Sequence, residues 1–406
     1  FTLRLFWQRT FLLFPVLAMK KFVLYTAIYV SLGLLFVAIG EFYLWRFKES
    51  VSIKKVAEIQ SSATKELYYG RQILGNSLST YKYEMWMKTQ PKVLVLGQSV
   101  TLQFRDFMFE PYHDDFYNAG LMVRNLKDLK HVLKMLENDK VKRPDLILLG
   151  MDFSFVLKEN VLDDLYSITD LPEDRAINVQ SHFKGYQQLF LNGSLREIPD
   201  LNVGFGKAGM IGRGYRNDGT YRHLPEIEQY VLDATYQDGG LSNKLYTNES
   251  PFLANMQFDD EKATQVFEIL NGFKNLGIEL LLYVPPYSDQ FYKIATEHTG
   301  FAAFWPEFIA FQEGLKESNF DVISFTTPSQ MGLKDDYMVD AEHPGEVLCA
   351  IQLMRYVKES STQNKMLKTL TFSRVQQLLD AEYTLPISFL HDSVSVPLRN
   401  KIPSNN

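Results

Sequence analysis

One long apolar run opens the chain, and short apolar bursts separated by periodic helical stretches follow it. Residues 22–40, FVLYTAIYVSLGLLFVAIG, hold nineteen positions without a charge. Extended through Trp45, the run is long enough for a helix to cross roughly 30 Å of hydrocarbon. Lys20 and Lys21 flank one end, and Glu41, Trp45, Arg46 and Lys48 crowd the other. Long basic stems and an aromatic ring anchor such a helix at a membrane surface. The pattern predicts a transmembrane helix over 21–45, with a buried core helix as the alternative. FLLFPVLAM at 11–19 is too short to span and contains Pro15, so residues 1–20 read as an interfacial or re-entrant segment. No small-x-small cleavage site follows the run, which argues against a cleaved leader. Basic residues nearly balance across the span, so flanking charge sets no orientation. No second long apolar run appears, and everything downstream is expected on one side.

Residues 46–90 read as a polar helical connector. After them PKVLVLG at 91–97 is a buried strand, with a proline boundary, a Val/Leu run and a closing glycine. Phe116 to Gly120 suggests a second strand. Leu126, Leu129, Leu133 and Leu136 then recur at spacings of three and four, one face of a helix. PDLILLGMDF at 144–153, LGIELLLYVPP at 276–286 and FDVISF at 320–325 predict further strands, with a helical region near 301–318. His343-Pro344-Gly345 opens a last helix carrying Val347, Leu348, Ile351, Met354 and Val357. Buried strands alternating with amphipathic helices specify an α/β domain over 91–358 with a largely parallel sheet. Ligands gather beyond the carboxyl ends of such strands.

An interval at about 154–270 interrupts this rhythm. It contains GFGKAGMIGRG at 204–214, which lacks the setting of a dinucleotide site or a phosphate loop. A turned insertion is the main reading and a substrate-facing loop the alternative. Residues 359–406, with an amphipathic patch at 366–379 and then Pro386, Pro397 and Pro403, read as a tail that docks on the body or a partner.

Composition narrows the class. The 406 residues carry 42 Lys and Arg against 48 Asp and Glu, a net charge of -6, which argues against a broad nucleic-acid-binding surface. The single cysteine, Cys349, excludes an internal disulfide framework and a cysteine-rich metal site. The seven histidines form no H-E-x-x-H group, so no catalytic metal is inferred, calcium on the acidic surface stays open, and no cofactor is expected.

Candidate chemistry collects at strand ends. Ser99 follows Gly97-Gln98 where the first buried strand stops and residues 100–109 are expected to begin a helix. That turn exposes a hydroxyl and aims a backbone N–H at developing negative charge. His343 lies on the approach to the last helix, with Asp340 three residues earlier to orient an imidazole that takes a proton from serine. Glu342 is expected to be solvated or to point elsewhere. The plainer alternative is that Asp340 and His343 cap the last helix and Ser99 caps its own.

Taken together, these blocks resemble the SGNH, or GDSL-like, hydrolase superfamily. Gly97-Gln98-Ser99 matches its serine block, Tyr117-Asn118-Ala119-Gly120 its glycine block, and Asp340-Ala341-Glu342-His343 its D-x-x-H block. Gly150-Met151-Asp152-Phe153 stands at the G-x-N-D block, with Asp152 in place of the asparagine. The resemblance implies a three-layer α/β/α fold, Ser99, His343 and Asp340 as catalytic residues, and the N–H groups of Ser99 and Gly120 as oxyanion donors. Asp152 stays outside the catalytic pair as a site residue that is protonated, turned toward a backbone donor or given a different role, because an ionised carboxylate repels an oxyanion that an amide would bind. The chain is closest in character to membrane-anchored members that act in teichoic-acid D-alanylation and alginate O-acetylation. That implies an acyltransferase or esterase of a cell-envelope glycan or polymer on the outer side of a bacterial cytoplasmic membrane. Membrane lipid and a multispanning O-acyltransferase are the implied partners. A noncatalytic subunit of the same fold, or a glycan-binding protein, is the alternative.

Arg105 either holds an acidic substrate or pairs with Asp106 or Asp114, and the ion pair is preferred. Arg213 and Arg216, beside the glycine-rich stretch, are candidate substrate contacts. Pro285-Pro286-Tyr287 is expected to shape a wall of the cleft or a simple turn, and Asp218-Gly219 a turn.

Overall fold

Short Val/Leu runs become strands because their alternate side chains have two separate apolar clusters to enter. The structure, a computed structural model, describes residues 2–71, 74, 78–159, 168, 182–187, 203–222, 240–249, 251–360 and 362–380. Nine strands are described in two sheets. The larger is built from Val93–Gly97 (β2), Phe116–Gly120 (β3), Leu146–Gly150 (β4), Glu279–Tyr283 (β8) and Asp321–Ile323 (β9). Their order is β3-β2-β4-β8-β9, and every pairing is parallel. Leu94, Leu96, Ile147, Leu149, Leu280 and Leu282 enter one cluster. Val93, Val95, Leu146, Leu148, Leu281 and Tyr283 enter the other. This period of two covers the sheet on both faces.

The helices follow their sequence signals. Leu126–Glu137 (α4) starts at Asn125, whose side chain accepts the Asp128 N–H. Its buried face is Leu126, Leu129, Val132, Met135 and Leu136, while Leu133 packs at the margin. Asp260–Asn275 (α7) is capped in the same way by Asp259. Thr299–Glu317 (α9) starts at His298 and contributes Phe301, Phe304, Trp305 and Phe308 to the first cluster. Glu346–Glu359 (α10) covers the opposite face with Cys349, Ala350 and Leu353.

Several expectations need correction. Thr2–Arg46 (α1) is one continuous helix through Pro15, so 11–19 is not a separate re-entrant piece. Met19–Arg46 is long and apolar enough to cross a membrane. Residues 46–90 are not an outlying connector. Ile53–Ser61 (α2) and Leu78–Thr89 (α3) bury Ile53, Val56, Tyr81, Met85 and Trp86 in the first cluster. The helix expected at 100–109 is two 3₁₀ turns, Ser99–Thr101 and Asp106–Phe109.

The described part of the insertion joins two connector residues, Tyr68 and Tyr69, in a second, four-stranded sheet. Tyr68–Tyr69 (β1) pairs with Gly204–Phe205 (β5) on one side and with Gly214–Tyr215 (β6) on the other, and Tyr221–Arg222 (β7) pairs with β6. Its glycines are required by close approach. A Cβ on Gly204 would stand 2.2 Å from the Tyr68 carbonyl oxygen. The loop after β6 reaches the main sheet, where the Asp218 carbonyl accepts the N–H of Asn118 at 2.7 Å. In the tail, Leu367, Leu370 and Val375 pack into the second cluster, the last from Ser373–Asp380 (α11). The expectations for Pro386, Pro397 and Pro403 lie outside the described residues.

Candidate active site

Three glycines make room for the site. Gly97 and Gly120 are register partners at the ends of β2 and β3, and Gly150 ends β4. A Cβ on Gly150 would meet Thr101 Cγ2 at 2.4 Å, and one on Gly120 would meet Thr101 Oγ1 at 2.9 Å. The Thr101 side chain therefore sits among the strand ends, and its hydroxyl donates to the Gln98 carbonyl at 2.9 Å. Asn118 locks the same turn. Its amide donates to the carbonyls of Thr101 and Phe104 at 2.8 and 2.9 Å, and its Oδ1 accepts the Gly120 N–H at 2.8 Å. Carbonyls that an α-helix would pair with later N–H groups are thus taken by a side chain. This is the physical reason that 99–109 turns rather than coils.

His343 arrives from the other end of the chain. Its Nε2 lies 2.7 Å from Ser99 Oγ, and its Nδ1 lies 2.8 Å from both Asp340 oxygens. Asp340 Oδ1 also accepts the backbone N–H groups of Glu342 and His343, at 3.0 and 2.9 Å. Four residues thereby form one tight turn, with Val339 N–H donating to the His343 carbonyl at 2.8 Å. Asp340 fixes the tautomer: Nδ1–H donates to the carboxylate, which leaves Nε2 of the neutral ring to accept the Ser99 hydroxyl.

The electrostatics favour a charged ring. Burial opposes the imidazolium, but Asp340, Glu342 and Asp152 outweigh it and push His343 up to about 9. Asp340 is held below the usual carboxylate range: burial raises it, and the bond to His343 with two backbone donors more than reverses this. Glu342, expected to be solvated or to point elsewhere, is half-buried beside His343, and burial raises it. Burial raises Asp152 as well, despite its bond from the Ser154 N–H at 2.8 Å. Tyr287 is buried against Phe291 and Trp305 and feels both of these carboxylates.

Other assigned residues fall differently. The Gly120 N–H is committed to Asn118, so Gly120 is not a ready oxyanion donor. The Ser99 N–H has no acceptor among the described residues. Arg105 pairs with neither expected partner by contact. Its Nη1 binds Glu346 Oε1 at 2.8 Å, and its Nε lies 3.8 Å from Asp218 Oδ2. Arg105 and Glu346 are 4% and 1% exposed, which fits a strut and not a substrate ligand. Arg216 is buried against Glu66 at 3.2 Å, and Arg213 donates to the Tyr221 hydroxyl at 3.1 Å. Both are engaged around the small sheet. No group of acidic, histidine or cysteine side chains able to hold a metal occurs among the described residues.

Sequence reasoning gave no role to Thr101 or Glu346, nor to the side chains of Gln98 and Asn118 within their blocks. Gln98 Nε2 bridges to Ser154 Oγ at 2.6 Å and to the Arg124 carbonyl at 3.2 Å. Glu346 had one usable signal, an acid in the first turn of a helix whose other first-turn positions are apolar. Its partner lies 241 residues away and left no local trace. No family model matches the chain, and no curated protein matches it.

Proposed function

We propose that the protein is a membrane-anchored, serine-dependent acyltransferase or esterase of the SGNH type, acting on an O-acylated cell-envelope polymer. The observation that carries this reading is the unbroken hydrogen-bonded chain from Ser99 Oγ through His343 to Asp340, drawn from segments 244 residues apart. A cap needs no such alignment of hydroxyl, imidazole and carboxylate. In the proposed reaction His343 Nε2 takes the Ser99 proton as Oγ attacks the ester carbonyl carbon. The Ser99 N–H faces the developing oxyanion, and His343 returns the proton to the leaving alcohol. A second hydroxyl, from water or a glycan, then gives its proton to His343 as its oxygen bonds to the acyl carbon, and His343 returns that proton to Ser99 Oγ as the acyl–Oγ bond breaks. Asp152 borders the site, where burial raises its carboxyl while the Ser154 N–H and His343 oppose that rise. The three-layer arrangement, the outward-facing body and a multispanning O-acyltransferase as partner belong to the same proposal and rest on the four sequence blocks.

A phosphonate probe tests it on wild type, Ser99→Ala and His343→Ala in a membrane mimetic. The expected adduct is on Ser99, and acyl-ester turnover falls about 100-fold or more in both variants, ~2.7 kcal/mol of lost transition-state stabilisation. Labelling should climb with pH through about 9, as His343 loses its proton. A second reading, a noncatalytic subunit, is favoured by the occupied Gly120 N–H. Unlabelled wild type together with fully functional variants would establish it over the enzyme.

A further inference from the structure

The foot of α1 is gripped by the body rather than leading to it through a free tether. Leu44 and Phe47 are buried with Leu74, Tyr186 and Met210 in a cluster of their own. Glu49, fully buried, accepts the N–H groups of Lys207 at 2.7 Å and Leu74 at 3.3 Å. One element of this grip reaches higher. Residues 182–187 form a helical turn whose Tyr186 ring lies against Gly40, where a Cβ would stand 2.3 Å from it. The same ring meets Phe36 edge-on at 5.8 Å. Glu41 accepts the Tyr186 hydroxyl and lies 2.6 Å from His182 Nδ1.

Depth follows from length. About 20 helical residues fill the hydrocarbon slab, so the uncharged run 22–40 nearly does so and Glu41 stands at its edge. Phe36 then lies five residues, roughly 7 Å, inside that edge. A ring packed on Phe36 and Gly40 cannot stand in bulk water while the run stays in lipid. Glu41 at the boundary needs polar partners, and His182 and Tyr186 supply them. Phe183, 5.7 Å from the Tyr186 ring, is 52% exposed, and Trp45 is 71% exposed. Exposed aromatic rings at this level suit the boundary between headgroups and acyl chains.

We propose that the turn at 182–187 is a second membrane contact, seating Phe183 in the lipid interface and clamping the body against the bilayer. This rests on reading Met19–Arg46 as a membrane span, and it makes no use of the chemistry at Ser99. The partner is lipid, and the contact requires no headgroup chemistry.

Nitroxide labels on Phe183→Cys and, separately, Val30→Cys test it in the full chain reconstituted into phosphatidylcholine vesicles. The parent, whose only cysteine is the buried Cys349, checks for background labelling. Collision with oxygen is compared with collision with a water-soluble nickel chelate. The expected result is preference for oxygen at both positions, with the label at 183 the shallower. A label at 183 that prefers nickel while that at 30 prefers oxygen overturns the second contact and leaves the span intact. Preference for nickel at both positions overturns the span and the proposal with it.

Discussion

The five-stranded and four-stranded sheets solve opposite problems within one chain. In the parallel sheet, β2 and β4 are wholly buried, and their side chains supply apolar surface to two clusters. In the small sheet each strand is two residues long, and glycine occupies the register positions where backbones come closest. Tyr69, Phe205 and Tyr215 join the first apolar cluster, but the sheet's backbone is met by buried polar groups. The Gln60 amide donates to the carbonyls of Leu67 and Tyr215 at 2.7 and 2.9 Å. Lys82, fully buried, donates to the Asn118 carbonyl at 2.8 Å and to that of Gly219, with the Tyr215 ring 4.5 Å away. The first sheet is held by transfer of apolar area, which needs no particular partner. The second adds to its own apolar contacts a set of polar groups that are costly to bury unless each finds its own partner.

Arg105 joins the two regions, since Glu346 opens α10 on the parallel sheet and Asp218 belongs to the small-sheet loop. Its loss is therefore expected to have the largest effect. Arg105→Met should cost about 4 kcal/mol in urea unfolding, because two carboxylates lose their cation. Adding Glu346→Leu should recover more than half of that cost, a non-additivity that an independent-sites picture does not allow. Recovery near zero would mean that the pair is not the joint.

Leu148→Ala, in the middle of the parallel sheet, should cost about 3 kcal/mol by the same measurement. No single charge reversal nearby should restore it, which separates area-held from partner-held regions.

The two regions should also answer pH with opposite signs. Burial pushes Lys82 down to about 7 from 10.5, with Asp218 partly opposing. The unfolded chain then holds a proton there that the folded chain lacks, so this contribution makes stability rise between about pH 7 and 10.5. His343 is raised from 6.5 to about 9, so its contribution is fully present below 6.5 and is lost as pH rises through 9. Lys82→Met should remove the rising component and His343→Gln the falling one. Matching profiles for the two variants would erase the contrast.

The smallest effect belongs to neither sheet. Lys55 and Glu58 pair at 3.1 Å, with both side chains more than half exposed. Lys55→Ala should shift stability by less than about 0.5 kcal/mol, and a larger shift would show α2 to be more tightly coupled to the small sheet than its exposed face implies.

What the sequence determined by itself was whatever repeats locally. The Val/Leu runs at 93–97 and 146–150, the helical periodicity after Val123 and the uncharged run at 22–40 each state a burial pattern within a few residues. The order of Ser99, Asp340 and His343 after separate apolar runs was legible for the same reason. Their meeting within hydrogen-bonding distance was decided by the parallel sheet, which brings those strand ends to one edge. The 3₁₀ turns at 99–109 could not be read from their own residues, because the amide that takes their carbonyls belongs to Asn118 on another strand. The Arg105–Glu346 pair, the fate of the Gly120 N–H and the two-residue strands of the small sheet were hidden likewise. Apolar burial is satisfied by any apolar neighbour and so is written in periodicity. A buried hydrogen bond or ion pair needs one partner in one place, and only the folded chain supplies it.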